Sequence, residues 1–525
     1  MTATPVAQPG SRFLTGGGRV TIFVGAALVW AVAQAGVGGE LVNGGGWPSF
    51  TSFWRAAIRP ELGWEFVQLT VDAAAITMAY AILGTALSLV LGLFGALTLS
   101  RLFTGGGIHW WISRALLAVP RSIHEIIWAL LLLQVFGFDP LVAVLAIALP
   151  FGAVTAKVFA ETIDSTDPAP FRYLRASGAR RLTALMYGIA PAVRGELLSY
   201  SFYRLECAIR SAAVLGVIGA GGLGFQLDLS FETLRYNEIW TLIAALMILS
   251  GLGDGWSTLV RRSTEAQLGR MSLLAVAVLV PLSWWWVDID VTSVWSPRRR
   301  SLAVDFATDL FPARLGAGGW SELLQASADT VAMSILAILA AAVGGLFFGA
   351  LASRPTGKSA RPTRAGGGGR LMLRLSLLLF RAVPAPIWAF LMVLILFPGL
   401  WPGAVALGIY NLGVLGRLFA ETLEDADRRP SDALVIAGAT SLTAFFYATL
   451  PTAGTRLTAL AFYRWEVIAR ETVVVGVVGA GGLGQLMSSH LAGRNFAAVT
   501  GVVGALVVIS IVIDLASTTV RRALP

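Results

Sequence analysis

Long apolar stretches, separated by short polar segments, set the pattern of this chain. Stretches such as 74–98, 239–260 and 496–513 are almost free of charge. About 18 apolar residues suffice for a helix that crosses a bilayer core of roughly 30 Å. Charged residues gather in the gaps between these stretches. The pattern predicts an all-α polytopic membrane protein with about 12 transmembrane helices.

The second half of the chain repeats the first. Residues 159–191 return as 419–451, at an offset of 260 residues, beginning with FAET in both copies. The same offset carries GAGGLG at 219–224 onto 479–484. One offset that holds over about 140 residues indicates an internal duplication.

Each copy is predicted to contain six spans, and the boundary between the copies is placed after residue 265, giving repeats 1–265 and 266–525. Because six is even, both repeats enter the membrane in the same orientation, as parallel repeats do. The predicted spans are 19–36, 74–98, 110–136, 139–160, 197–220 and 239–260, then 271–287, 329–351, 371–397, 400–419, 457–480 and 496–518.

Composition and charge fit this assignment and set the orientation. Only 13% of residues are charged and 56% are hydrophobic, and the net charge of +9 lies beside the spans rather than in a basic module. This argues against nucleic-acid binding. Lys and Arg concentrate in the loops of one side, so the positive-inside rule makes that side cytoplasmic, with both termini there. Arg298, Arg299 and Arg300 lie on the other side, in a long loop where the rule is weak.

The first span could instead be a cleaved signal peptide, since Arg12 and Arg19 precede an apolar run and the small residues 31–36. Residues 271–287 occupy the matching place in the second copy, which favours a retained span.

Two polar segments, 161–190 and 421–450, lie between the fourth and fifth spans of each copy. Their spacing of apolar residues, such as Leu182 and Leu185, predicts a short amphipathic helix pair along the membrane surface. An ordinary surface helix would show the same pattern, but recurrence at one place in both copies indicates a shared role.

These segments resemble the cytoplasmic coupling loop of ABC importer permeases. In that family a Gly is followed by a Pro thirteen residues later. Gly178 with Pro191 and Gly438 with Pro451 keep this step. Asp432 matches the family's acidic position, whereas the first copy has Arg172 there. The residues that the resemblance assigns to coupling with the ATPase are Glu161, Gly178, Pro191, Glu421, Asp432, Gly438 and Pro451.

More narrowly, the chain resembles the permeases of phosphonate importers. The similar segments are RSIHEIIWALLL at 121–132, FAET at 159–162 and YRLECAIRSAAVLGVIGAGGLG at 203–224, with their second copies. Members of that family are usually single copies that pair as dimers, so this chain is expected to fuse the pair.

The resemblance implies the permease subunit of an ATP-driven importer for phosphonate or phosphate in the bacterial plasma membrane. Its expected partners are two ATP-binding subunits on the cytoplasmic side, a substrate-binding protein outside, and the lipid bilayer. ATP and Mg would be bound by the partner ATPase, so no cofactor, no metal and no catalytic residue is expected in this chain. The sequence does not separate phosphonate from phosphate.

Several motifs are set aside. GAGGLG fits a dinucleotide fingerprint, but it ends an apolar helix instead of following a strand, so close packing and a loosened backbone are the better interpretation. No G-x-x-x-x-G-K-[ST] occurs, and one Cys and three His give no basis for a metal site. Asp254 and Asp514 are interpreted as helix-end residues that pair with the Arg pairs following them.

The fifth span of each copy is the candidate substrate path, because charged residues inside a span usually face a partner or a wet cavity. Tyr203, Glu206 and Arg210 share one helix face. A structural Glu206–Arg210 ion pair is an equally open interpretation. Arg204 lies on another face, where the second copy has Glu471 seven residues after Arg464 and the first has only Ser211. The full candidate set is Tyr203, Arg204, Glu206, Arg210, Tyr463, Arg464, Glu466 and Arg470.

Two rival functions remain. An ion-coupled secondary transporter of a small anion can also have parallel six-span repeats, but it needs no pair of coupling loops. A membrane-embedded enzyme would need a catalytic constellation, and none stands out.

Overall fold

A computed structural model describes residues 16–36, 41–262, 266–353 and 364–523. Throughout these ranges the chain is helical, apart from loops and one isolated bridge between Val42 and Leu396. The prediction of an all-α polytopic fold is therefore confirmed.

The first half contains twelve helices. They are α1 (Gly16–Ala35), α2 (Trp47–Ala56), α3 (Trp64–Leu99), α4 (Arg101–Thr104), α5 (Ile108–Ser122), α6 (Glu125–Phe136), α7 (Pro140–Ser165), α8 (Ala169–Ala176), α9 (Arg181–Gly188), α10 (Ala190–Leu215), α11 (Gly222–Glu232) and α12 (Tyr236–Arg262).

The second half repeats this order over the residues that the structure describes, and most of the positions equivalent to α4 lie outside them. Its helices are α13 (Ala266–Val287), α14 (Pro297–Leu310), α15 (Gly319–Ala352), α16 (Arg364–Ala382), α17 (Ala385–Ile395), α18 (Leu400–Glu424), α19 (Arg429–Ile436), α20 (Ser441–Ala444), α21 (Leu450–Val475), α22 (Gly482–Ala492) and α23 (Phe496–Ala523). The end of the bundle that carries α8, α9, α19 and α20 is called the loop end below.

Seven helices of the described ranges are long and apolar enough to cross a membrane, and four bent helix pairs raise this number to 11. The shorter apolar helix at Ile22–Ala35 brings it to the predicted twelve.

The third and ninth spans are not continuous helices, contrary to the expectation for 110–136 and 371–397. Helices α5 and α6 meet at 89°, and α16 and α17 at 94°. In the second half Pro384 precedes the new helix, and proline both lacks an N–H and disfavours α geometry before it. In the first half the side chain of His124 accepts a hydrogen bond from Ile126 N and caps the new helix.

The fifth span of each half also bends, at the glycine-rich turn. Helices α10 and α11 meet at 55°, and α21 and α22 at 60°. Gly222 has φ +74 in the left-handed region, and a Cβ there would lie 2.5 Å from Thr77 Oγ1. The same Thr77 oxygen accepts a hydrogen bond from Leu223 N at 2.9 Å, so the freed backbone stays satisfied inside the bundle. The interpretation of GAGGLG as a close-packed, loosened turn is confirmed.

The first span of each half packs on the other half. Helix α1 packs on α15, where Gln34 donates a 2.8 Å hydrogen bond to Asp329, and α13 packs on α3. Similarly, Arg299 of α14 forms a 2.7 Å ion pair with Asp139 at the start of α7. The two halves are therefore interlocked rather than placed side by side.

Small residues bring the central helices close together. A Cβ on Gly92 of α3 would lie 2.5 Å from Thr155 of α7, and one on Gly349 of α15 would lie 2.7 Å from the Gly416 carbonyl of α18. Without a hydrophobic drive in lipid, such close backbone contact is a main source of helix association.

Candidate functional site

A cavity of about 210 Å³ lies between the two halves and is called the central cavity. Helices α5, α6, α7 and α10 line it from the first half, and α16, α17, α18 and α21 line it from the second. Its charged or hydrogen-bonding lining residues are Arg121, His124, Glu125, Tyr203, Arg204, Glu206, Arg210, Ser211, Arg381, Tyr410, Arg417, Glu421, Tyr463, Arg464, Arg470 and Glu471.

The lining is strongly charged for the interior of a membrane bundle. Seven arginines face four glutamates. One charge at a span centre costs roughly 2.5–3.5 kcal/mol on insertion scales, so such a set is tolerated only with partners or water around it. The excess of arginine makes the cavity suited to an anion.

Seven of the eight residues predicted for the substrate path line this cavity: Tyr203, Arg204, Glu206, Arg210, Tyr463, Arg464 and Arg470. Glu466 is not among the lining residues, and its carboxylate lies 3.5 Å from the Arg470 guanidinium. Whether these residues contact a substrate stays a prediction.

The structural ion pairs within the fifth spans are also present. Glu206 and Arg210 lie 3.3 Å apart, and Glu466 and Arg470 lie 3.5 Å apart. These pairs satisfy part of the charge along one helix face. Glu206 has further partners, however, since it lies 3.6 Å from both Arg381 and Arg417 of the second half.

A cluster of four charged residues joins the halves and is called the cross-half cluster: Glu206, Asp254, Arg381 and Arg417. The carboxylate of Asp254 in α12 accepts hydrogen bonds from both Arg381 in α16 and Arg417 in α18. Asp254 thus has partners in the other half, whereas its predicted pairing with Arg261 and Arg262 falls on side chains outside the described residues. The arginines of one half are thus held by the carboxylates of the other.

The residues at the equivalent positions of the repeat do not form the same ion pairs. At the offset of 260 they are Glu466, Asp514, Arg121 and Lys157. Arg121 interacts electrostatically with Asp514 and Glu466, but it forms no ion pair with any residue in the described ranges. Lys157 instead reaches Glu161 of its own helix, at 3.9 Å. One side of the pseudosymmetric centre is therefore joined by ion pairs, whereas on the other side Arg470 donates a 2.7 Å hydrogen bond to the Arg121 carbonyl.

Arg464 and Arg204 differ as their helix positions predict. Arg464 donates a 2.8 Å hydrogen bond to Glu471, and Asn411 also contacts both side chains. The predicted pairing of Arg464 with Glu471 is confirmed.

In the first half, Ser211 donates instead to the buried carboxylate of Glu125, at 2.6 Å. Arg204 is 8% exposed and its guanidinium lies 4.0 Å from the Phe151 ring centre. Its buried Nε has no hydrogen-bond partner, and Arg204 forms no ion pair within the part of the chain that the structure describes. Among the described arginines of this cavity, Arg204 and Arg121 form neither an ion pair nor a side-chain hydrogen bond.

The polar segments at the loop end form short helix pairs, as predicted: α8 with α9, and α19 with α20. Gly178 and Gly438 lie between the helices with φ +87 and +91, where a side chain would be strained. Pro191 and Pro451 occupy the first turns of α10 and α21, where proline is well tolerated.

The acidic residues assigned to coupling lie in different surroundings. Asp432 lies in the first turn of α19, while Glu161 and Glu421 lie on the last turns of α7 and α18. Glu421 bonds Arg417 at 2.9 Å and lines the central cavity. Their role in coupling stays a prediction.

Sequence reasoning missed Asp254, Arg381 and Arg417 as parts of the site. Their partners lie 127 and 163 residues apart in the chain, so helix periodicity could not pair them. The available signal was the recurrence of an arginine at 121 and 381 within apolar spans. Over the described residues, no group of three or more His, Cys, Asp or Glu side chains is arranged to hold a metal ion.

Comparison with known proteins identifies the family of this chain. The model of the "Binding-protein-dependent transport system inner membrane component" family matches the chain twice, over residues 88–265 and 345–524. The phosphate-import permease protein PhnE of Mycolicibacterium smegmatis is 27% identical over 83% of this chain and 81% of its own length. The phosphite transport system permease protein PtxC of Stutzerimonas stutzeri is 30% identical over 47% of this chain and 88% of its own length. The chain belongs to the family of binding-protein-dependent transport system inner membrane components and is the permease subunit of an ABC importer.

Proposed function

We propose that the chain forms the translocation path for a phosphorus oxyanion, of the phosphate, phosphonate or phosphite class. The observation that carries this proposal is the central cavity between the halves, with its excess of arginine. Guanidinium groups bind such oxyanions through charge-assisted, often paired, hydrogen bonds. The relatives named above for phosphate import and phosphite transport support the same substrate class.

Arg204 is the proposed principal contact for the oxyanion. Its Nε points into the buried interior without a partner, whereas Arg464 is already neutralised by Glu471. Tyr203 and Tyr463 also line the cavity and can donate hydroxyl hydrogen bonds to the same ligand. An importer must release its cargo, so we expect weak binding rather than a deep site.

The drive for transport is proposed to come from two separate ATP-binding subunits, one on each coupling loop, which bind ATP and Mg. Three apolar side chains are exposed at matched positions in the two loops: Leu182, Met186 and Tyr187 in the first, and Leu442, Phe446 and Tyr447 in the second. Such matched exposed apolar groups suit two identical docking partners. Differential binding of ATP to two states of the complex would then shift the halves between outward- and inward-open forms.

The loop end is proposed to face the cytoplasm of a bacterial cell, with both termini on that side and the repeats divided at residue 265. The concentration of Lys and Arg at this end supports the orientation. A substrate-binding protein would then deliver the oxyanion at the opposite end. Single cysteines introduced at position 365 and at either terminus of a Cys207→Ser protein should react only with membrane-permeant thiol reagents; labelling by an impermeant reagent in whole cells would overturn this orientation.

The test of function is uptake by the reconstituted complex. The chain is purified with its ATPase and binding protein, inserted into liposomes, and supplied with ³²P-phosphate and ATP. Uptake should require ATP, persist with a protonophore, and be competed by phosphate, methylphosphonate or phosphite. Uptake that is driven by a proton or sodium gradient without ATP would favour the secondary-transporter alternative and contradict the proposal.

A further inference from the structure

A second, larger cavity of about 860 Å³ lies at the loop end of the first half, and is called the loop-end cavity. The end of α3, helices α4 and α5, the second half of α7 and the start of α8 form its walls. Arg121 lines both this cavity and the central cavity, so the two spaces are neighbours.

The charge of the loop-end cavity is positive. Five basic side chains and two acidic ones line it: Arg101, Arg114, Arg121, Lys157 and Arg172, with Glu161 and Asp164. One of the two acids is already used, because the Asp164 carboxylate accepts hydrogen bonds from the Ser100 hydroxyl at 2.6 Å and the Arg101 backbone N–H at 2.9 Å. The Asp164 carboxylate therefore stabilises the turn before α4, and its charge offsets little of the positive charge of the cavity.

Two of the arginines are held by one tryptophan. The guanidinium carbons of Arg101 and Arg114 lie 4.3 and 5.2 Å from the Trp110 ring centre. The ring itself is fixed, since Trp110 is 5% exposed and its indole N–H donates to the Leu99 carbonyl at 2.7 Å. Within the described ranges neither arginine forms an ion pair. Two like charges held at one ring in this way favour an anion that bridges them.

The second half provides an internal comparison, because the equivalent basic residues that the structure describes there are neutralised. Arg374, the counterpart of Arg114, forms a 2.7 Å ion pair with Glu424. The counterparts of Arg121 and Lys157 are Arg381 and Arg417, which belong to the cross-half cluster.

Two further counterparts differ in residue type. Trp110 corresponds to Arg370, and Arg172 to Asp432. The departure of Arg172 from the acidic position of the coupling loop thus adds a basic residue at the rim of this cavity. Arg101, Arg114 and Arg121, which line this cavity and form no ion pair among the described residues, belong to the first half, and the counterpart of Arg101 lies outside the described residues.

We propose that the loop-end cavity of the first half is a binding site for a phosphate-type oxyanion. Two sources have this chemistry. One is the transported oxyanion on its way out past Arg121, and this arm rests on the proposed function. The other is the headgroup of an anionic phospholipid, since Ile112 and Leu116 expose apolar surface on the neighbouring face of α5 and basic pockets between spans bind such headgroups.

The test compares Arg101→Gln/Arg114→Gln with a control from the second half that also removes two arginines, Arg370→Gln/Arg374→Gln, each purified with unchanged elution and thermal unfolding. One arm measures ³²P-phosphate binding in nanodiscs of phosphatidylcholine. The other measures, by native mass spectrometry, the phosphatidylglycerol retained from mixed lipid. The first variant should lose at least roughly tenfold in affinity in one arm, as expected for two lost charge-assisted contacts, while the control changes by less than about twofold.

A loss in the phosphate arm identifies the transported ion, and a loss in the lipid arm identifies a headgroup. The site is overturned if both variants bind both probes like the unmodified protein, or if the unmodified protein binds neither. If the double variant does not fold, Arg114→Gln alone decides, because Arg101 still contacts Trp110 in it. Failure of this site with normal ATP-driven uptake leaves the proposed function intact, whereas binding without ATP-driven uptake contradicts the proposed function alone.

Discussion

The asymmetry of the cross-half cluster leads to a prediction for the substitution Asp254→Asn. The carboxylate of Asp254 is 14% exposed and holds Arg381 and Arg417, which are 10% and 22% exposed. Removing one partner of a buried ion pair costs roughly 3–5 kcal/mol. Glu206 remains 3.6 Å from both arginines and Arg417 is partly hydrated, so we expect a smaller loss, of about 2 kcal/mol.

The assay is thermal unfolding of the purified permease, followed by tryptophan fluorescence. For a domain of 150–250 residues each 1 kcal/mol shifts Tm by about 2–4 °C, and the shift becomes smaller as the chain becomes longer, so for this chain of 525 residues we expect a fall of about 2–4 °C. The matched control is Asp514→Asn, at the same place in the second half. Asp514 forms no ion pair among the described residues, so its substitution should stay within about 0.5 kcal/mol. Equal falls in Tm for the two variants would refute the reasoning that only one side of the centre is joined by ion pairs.

Two further predictions concern the loops and the bent spans. Gly438→Val should lower Tm by only a few degrees and lower ATP-driven uptake more strongly, because nothing lies within 4 Å of a Cβ there while φ +91 strains the coupling loop by about 1–2 kcal/mol. Normal uptake and normal ATPase binding in Gly178→Val/Gly438→Val would exclude the docking assignment. Thr77→Val should destabilise the permease by about 1–3 kcal/mol, because the buried N–H of Leu223 loses its acceptor. Thr330→Val should cost the same, since Thr330 Oγ1 accepts the equivalent bond at 2.9 Å, and an unchanged Tm in both would show that these bonds do not hold the bend.

Local patterns in the sequence predicted the parts of the structure that depend on local geometry. The length of the apolar stretches predicted the membrane spans. The spacing of seven residues between Arg464 and Glu471 along one helix predicted an ion pair, which is present at 2.8 Å. The paired surface helices at the loop end followed from amphipathic spacing, and the duplication predicted that each feature would occur twice.

The contacts between distant parts of the chain could not be predicted in this way. Helices α1 and α13 each pack on the opposite half, and the apolar composition of these helices does not indicate which half they contact. The break before α6 carries no proline between Ser122 and His124, so only the cap by His124 marks it. Asp254 looked like a helix-end residue because its partners, Arg381 and Arg417, are brought to it by the packing of the two halves.

The duplication also concealed the difference between the halves. Repeated residues predict repeated contacts, but Arg121 and Arg381 have different partners in the folded chain. The difference accompanies a change of residue, because Lys157 occupies the position of Arg417 and lies near Glu161 of its own helix, whereas Arg417 binds Asp254 of the other half.

The measurement that tests the central claim most directly is ATP-driven ³²P-phosphate uptake by Arg204→Gln, with the ATPase rate measured in the same proteoliposomes. Arg464→Gln is the matched comparison, because Arg464 is already paired with Glu471. If the oxyanion passes through the central cavity, Arg204→Gln should lower uptake at least roughly tenfold at normal expression, as expected for the loss of a charge-assisted bond of about 1.5–3 kcal/mol. The ATPase rate should stay near that of the unmodified complex. Uptake that remains intact in well-expressed Arg204→Gln would contradict the account.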